Sequence, residues 1–185
     1  MSDRHKWRPV IRKPGPELRE LARFHPNGTW TGTVLPGGMG PGSPEMTARG
    51  HARCDWIIDG LWLSCHFEQD QFVGEEKILT WKARWIAGYD ASAGEYRAVG
   101  VDSNGVSFIF HGSIEGDSLI MDSMGEGPVR LRFTWTAPPG RPVSWKNEMS
   151  VAGGPWQLIE EYDIEPIGES VSGTCFPEGN YAKGS

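Results

Sequence analysis

The stretch H51-ARCDWIIDGLWLSC-H66 decides the fold, because its central Asp59-Gly60 is a hairpin turn signal between two runs of alternating character. If those two residues form a tight turn, Ile58 faces Leu61 and all later partners have numbers summing to 119. Cys54 then faces Cys65, and the pairs Arg53/His66, His51/Glu68 and Arg49/Asp70 form a complementary polar ladder suited to solvent. Ala52, Cys54 and Trp56 against Leu63, Cys65 and Phe67 make the opposite, interior face. Side chains alternate across a strand, so the two histidines and the two cysteines point to opposite sides and cannot share one metal. Counted from a two-residue turn, Cys54 and Cys65 form a hydrogen-bonded pair with Cα atoms roughly 5.5 Å apart, a geometry that disfavours bridging. Buried free thiols are therefore expected ahead of a disulfide, and a metal site behind both.

The same alternation runs outward along the chain. After a polar arm over residues 1–15, "PELRELARF" places Pro16 at a first helical position, with Leu18, Leu21 and Phe24 on one apolar stripe. From Trp30 the pattern becomes a succession of strands: 29–34, 47–58, 61–70, 77–87, 95–103, 106–113, 118–123, 129–136, 143–150 and 156–164. Ten strands in up-and-down order predict an all-β antiparallel barrel over residues 16–166, closed so that no edge is exposed. The loop "LPGGMGPGSPEM" (35–46) belongs at a barrel mouth as a long mobile segment, and residues 167–185 read as a flexible tail.

Composition narrows the function classes. The 185 residues carry a formal charge of -6 with no Lys/Arg-rich run, so no nucleic-acid partner is expected. No apolar run approaches a membrane span, and "MSDRHKWRPVIRKPGPE" lacks the apolar core of a signal peptide. With three sparse cysteines, this points to a cytoplasmic protein without a membrane partner. No phosphate loop, nucleophile elbow or paired metal-ligand motif is present, and "LPGGMGPG" lacks the Lys-Ser/Thr ending of a phosphate loop.

The interior can be read strand by strand. Leu79, Trp81, Ala83 and Trp85 share one face, as do Val129, Leu131, Phe133 and Trp135. Val143, Trp145, Asn147 and Met149 face Trp156, Leu158, Glu160, Tyr162 and Ile164, with Trp145 the expected neighbour of Glu160. Asn147 and Glu160 interrupt apolar faces, and a buried carboxyl is costly without a partner, a proton or a ligand. Nine tryptophans in a barrel wider than eight strands favour a cavity over a solid core. The expected ligand-binding residues are Trp81, Trp85, Phe133, Trp135, Trp145, Asn147 and Tyr162, holding a small hydrophobic or aromatic ligand.

His111 and Asp102 are open between two readings. A two-residue Asn104-Gly105 turn puts both on the face opposite Val99, Val101, Phe108 and Phe110, and apolarity sends the latter inward. If Trp85 packs over Gly100, the face of Asp102 and His111 turns inward instead. Catalytic candidates are then Glu160, His111 and Asp102 as acid and base. Two functions follow: a binding barrel without chemistry, or a cofactor-free cyclase, isomerase or hydrolase working by shape and one or two polar groups.

The motifs "NGTWTG", "DGLWL", "GYDASAGEY", "VDSNG" and "WQLIEEYDI" resemble the family named domain of unknown function 1579 over residues 17–164, with Gly88-Tyr89-Asp90, Gly94 and Tyr96 the most specific piece. The resemblance implies a lipocalin-like barrel with a ligand cavity. "GTWTG" is also similar to the opening of nitrobindin-type haem barrels, whose iron ligand is a late histidine. Here no histidine follows His111, so a haem barrel with His111 as an odd ligand ranks behind the other two readings, and no cofactor is expected. The arm containing Trp7 is similar in kind to the lid of natural-product cyclases built on such barrels, an analogy of fold. A homodimer is left open.

Overall fold

The computed structural model describes residues 12–167. The expectations for residues 1–11 and 168–185, including Trp7 and Cys175, lie outside them. A short helix α1 (Pro16–Ala22) precedes ten strands: β1 (Gly28–Val34), β2 (Met46–Ile57), β3 (Trp62–Val73), β4 (Glu76–Asp90), β5 (Glu95–Asp102), β6 (Ser107–Glu115), β7 (Ser118–Met124), β8 (Val129–Thr136), β9 (Val143–Val151) and β10 (Gln157–Pro166). Each strand pairs with its sequence neighbours and β1 pairs with β10, so the sheet closes into an antiparallel up-and-down barrel.

The apolar stripe of α1 explains its position. Leu18, Leu21 and Phe24 are buried within the main core cluster, where they plug the barrel end carrying the β2–β3, β4–β5 and β6–β7 turns. Tyr96 Oη donates to the Glu17 carbonyl at 3.0 Å, and Arg23 Nη2 donates to Asp117 Oδ1 at 2.9 Å in the β6–β7 turn. His25, just beyond the helix, lies 4.9 Å from the Trp135 ring and is buried. The opposite end is the mouth. There the loop between β1 and β2 folds into tight turns, with Gly37 N donating to Ser43 O at 2.9 Å and Gly38 N to Leu35 O at 2.9 Å.

The opening hairpin has the expected partners, including Cys54/Cys65, Arg53/His66, His51/Glu68 and Arg49/Asp70. Its turn differs. Ile58, Asp59 and Gly60 all have positive φ, and residues 58–61 lie outside both strands, so four residues rather than two make the loop. The hydrogen-bonding alternation is thereby shifted, although the partners are unchanged. Cys54 N donates at 2.6 Å to Asn27 Oδ1 on the β1 side, and the Cys54 and Cys65 Cα atoms approach to 4.0 Å as a non-hydrogen-bonded pair. The two form a disulfide, which corrects the expectation of free thiols and removes the cysteine argument for a reducing compartment.

Two further register effects decide which residues face inward. Between β5 and β6 the loop is Ser103-Asn104-Gly105, with Gly105 N bonded to Asp102 O at 3.1 Å and Gly105 at φ +77°. Gly100 therefore faces Phe108, and Val99 faces Ile109. That extra loop residue shifts the pairing by one and separates residues expected on a common face. Asp102 joins Gly100, Phe108 and Phe110 inside, whereas Val99, Val101 and Ile109 are exposed. On β10 the pairing with β9 shifts between Leu158 and Glu160, so that Ile159 and Glu160 are both buried and Leu158 is exposed. The expected inward positions of Leu158 and Trp156 are corrected: Trp156 packs under the Arg132 guanidinium, 4.4 Å from its ring centre.

Candidate functional site

The barrel is solid at the α1 end and open within its mouth half, where a cavity of about 290 Å³ lies inside the wall. That is roughly ten times the share of liquid volume taken by one water, so the interior is not filled by side chains alone. Gly38 and Met39 from the β1–β2 loop and Asn104 and Val106 from the β5–β6 hairpin reach its rim.

Aromatic rings make most of the wall, and small residues make room for them. Trp85 lies over Gly100, where an added Cβ would stand 3.3 Å from the indole, and Trp30 lies over Gly50, where one would overlap the ring. Centroid distances of 5.7 Å from Trp85 to Phe133, 5.4 Å from Phe133 to Trp145 and 4.7 Å from Trp145 to Tyr162 link β4, β8, β9 and β10. Tyr162 then stacks on Trp30 of β1 at 4.7 Å, nearly parallel. Trp81, Trp85, Phe133, Trp135, Trp145, Asn147 and Tyr162 all line the cavity, as do Glu160 and Asp102. His111 does not. It stands on the outer wall with Nδ1 3.5 Å from Glu95 Oε2, so the acid–base pairing of His111 with Glu160 is corrected.

The polar groups within the cavity are held in a fixed order. Trp30 Nε1 can only donate, and it does so to Gln69 Oε1 at 2.7 Å. Gln69 is thereby oriented to donate from Nε2 to Glu160 Oε1 at 2.8 Å. Glu160 lies opposite Asn147, and Trp145 lies opposite Tyr162, because of the β10 bulge; the expected Trp145–Glu160 neighbourhood is corrected. Burial pushes the Glu160 carboxyl up to about 7, opposed by the bond from Gln69, and the nearby Tyr162 phenol is driven well above its ordinary value by burial and by Glu160. Across the cavity, Trp81 Nε1 donates to Asp102 Oδ2 at 3.1 Å, while Asp102 Oδ1 accepts the backbone N–H groups of Asn104 and Val106. Asp102 thus ties the β5–β6 loop and an indole of the wall to one carboxylate.

Gln69 and Gln71 were not among the sequence-derived candidates. Both are buried, and Gln71 Nε2 reaches Met39 Sδ at 3.8 Å under the mouth loop. The signal was present: continuing the inward alternation of Leu63, Cys65 and Phe67 along "FEQDQF" reaches them. Among the described residues, no three His, Cys, Asp or Glu side chains converge in a metal-binding group, and no helix is long and apolar enough to cross a membrane.

A family model described as "Protein of unknown function (DUF1579)" matches residues 13–151, three quarters of the chain, and the chain belongs to that family. No curated protein matches it.

Proposed function

We propose that this DUF1579 member binds a hydrophobic or aromatic small molecule in the mouth half of its barrel. The observation that carries the reading is the cavity of about 290 Å³, walled by indole and phenyl rings yet containing the buried Glu160, Gln69 and Gln71. Rings serving only to fill a core would have no use for these groups, each of which is costly to bury. Ligand sites have the opposite composition: mostly apolar walls with a few placed polar groups. The separation of His111 from Glu160 favours binding over catalysis, since a cofactor-free cyclase or isomerase would have to work with Glu160 and Asp102 alone. Native mass spectrometry of protein purified from its own host tests the reading. A retained small molecule, lost on denaturation and lost from Trp85→Ala, is expected; a native mass equal to that of the bare chain, with no ligand recovered by organic extraction, would count against it. Under the same reading, His111→Ala retains the ligand.

A further inference from the structure

The charged inventory of the cavity is one-sided. Two carboxyl groups, Glu160 and Asp102, belong to its lining, and no lysine does. Arg84 touches the lining, but it belongs to the outward face of β4, opposite the exposed His66. Gln71 Oε1 and Asn147 Oδ1 are buried acceptors without a hydrogen-bond partner, against one such donor in the lining, Trp85 Nε1. Glu160 accepts from Gln69 through Oε1. Glu160 and Asn147 are cross-strand partners, which puts two of these acceptors on one patch of wall. The lining also includes the rings of Trp85, Phe133 and Trp145, and aromatic π faces attract cations.

We propose that the ligand is a hydrophobic amine, its apolar body against Trp85, Phe133 and Trp145 and its ammonium group at the Glu160–Asn147 wall. This deepens the binding reading and rests on it. An ammonium group supplies three donors and no acceptor, the complement of this wall, whereas a carboxylate ligand would meet Glu160, Asp102 and two amide oxygens with no cation to receive it. The other groups around Glu160 support the assignment: Tyr162 on β10 stays a neutral phenol, Gln69 and Asn147 are neutral amides, and Asp102 across the cavity carries the same sign. An ammonium partner favours the ionised carboxylate. Binding below the carboxyl's value of about 7 therefore releases a proton, and affinity rises with pH.

The test uses three probes of one shape, 2-naphthylmethylamine, 2-naphthylmethanol and 2-naphthoate, titrated by calorimetry and tryptophan quenching at pH 6 and pH 8. The amine is expected to bind most tightly at pH 8, with affinity about tenfold higher than at pH 6. Glu160→Gln should abolish that rise and weaken the amine far more than the alcohol, with circular dichroism verifying the fold. The pH dependence of the unmodified protein is a readout independent of the variant. Equal or tighter binding of the alcohol or naphthoate at pH 8 overturns the amine assignment while leaving the cavity a binding site. Failure of all three probes overturns the binding reading itself.

Discussion

Glu160→Gln should make the protein more stable at pH 8 and leave it nearly unchanged at pH 4.5. The carboxyl is buried, and its value rises from 4.5 to about 7, chiefly through desolvation. At about 1.4 kcal/mol per pH unit, that rise corresponds to roughly 3 kcal/mol. For an acid whose folded value is raised, the stability is fully present below 4.5 and is lost as pH climbs through 7. Glutamine keeps the shape, still accepts from Gln69 Nε2 and never ionises, so the expected gain at pH 8 is about 2–3 kcal/mol after allowing for imperfect pairing of the new amide. The gain must be read as a difference at each pH because His25 acts in the opposite direction. Burial pushes its imidazole down to about 4, so stability is present above 6.5 and is lost as pH falls through 4. In the unmodified protein the two effects largely cancel between pH 4.5 and 6.5, whereas in the variant the rise due to His25 stands alone. Urea unfolding at half-unit pH intervals measures both. A variant that tracks the unmodified protein at every pH would refute the claim that Glu160 is desolvated in the fold.

Three other changes test separate parts of the structure. Intact-mass measurement with thiol alkylation should find Cys54 and Cys65 protected, and reduction should lower stability by about 3 kcal/mol for a sequence separation of 11; full alkylation of the native protein would contradict the pairing. Asp102→Ala should cost about 1–3 kcal/mol in thermal unfolding, since it frees two backbone N–H groups of the loop and the Trp81 indole N–H, whereas Asp102→Asn should recover most of the loss. Trp30→Phe removes the donor that orients Gln69, allowing the amide to turn its oxygen towards Glu160; the carboxyl's midpoint, read from the pH dependence of stability, should move further up, and a downward move would reject the proposed order of hydrogen bonds.

The ten strands were legible because each carries β-rich runs bounded by turn residues, and the Asp59-Gly60 hairpin because its complementary pairs admit one register. What could not be read was loop geometry finer than one residue. The four-residue loop at 58–61 kept the partners of β2 and β3 but exchanged hydrogen-bonded for non-hydrogen-bonded pairs, enough to turn two expected thiols into a disulfide. The three-residue loop at 103–105 moved Asp102 and His111 to opposite faces. Apolarity was the wrong arbiter there, because Val99, Val101 and Ile109 are exposed at 45%, 46% and 53%. A bulge at Ile159 likewise turned Leu158 outward, and no turn residue marks it. Packing supplied the better clue: an indole needs a glycine opposite, and Trp85 over Gly100 alone would have turned Asp102 inward.

The inward polar side chains that line the cavity come from four strands but occupy the same half of the barrel. Going from the α1 end to the mouth, the inner face of β3 passes from Leu63 and Cys65 to Gln69 and Gln71, that of β5 from Ala98 to Asp102, that of β9 from Val143 and Trp145 to Asn147, and that of β10 from Ile164 and Tyr162 to Glu160. Local strand propensity does not require four independent switches at a common depth, and each is unfavourable for folding by itself. The α1 half compensates: Leu18, Leu21, Phe24, Leu63 and Leu119 are all at most 2% exposed, with the disulfide in the same half. Large-to-small changes there should cost the 2–5 kcal/mol of a well-packed core. Under the proposed binding function, changes among Gln71, Asn147 and Glu160 should leave the fold standing and alter what the cavity accepts. Under that proposed function, stability and recognition fall to opposite ends of one continuous sheet.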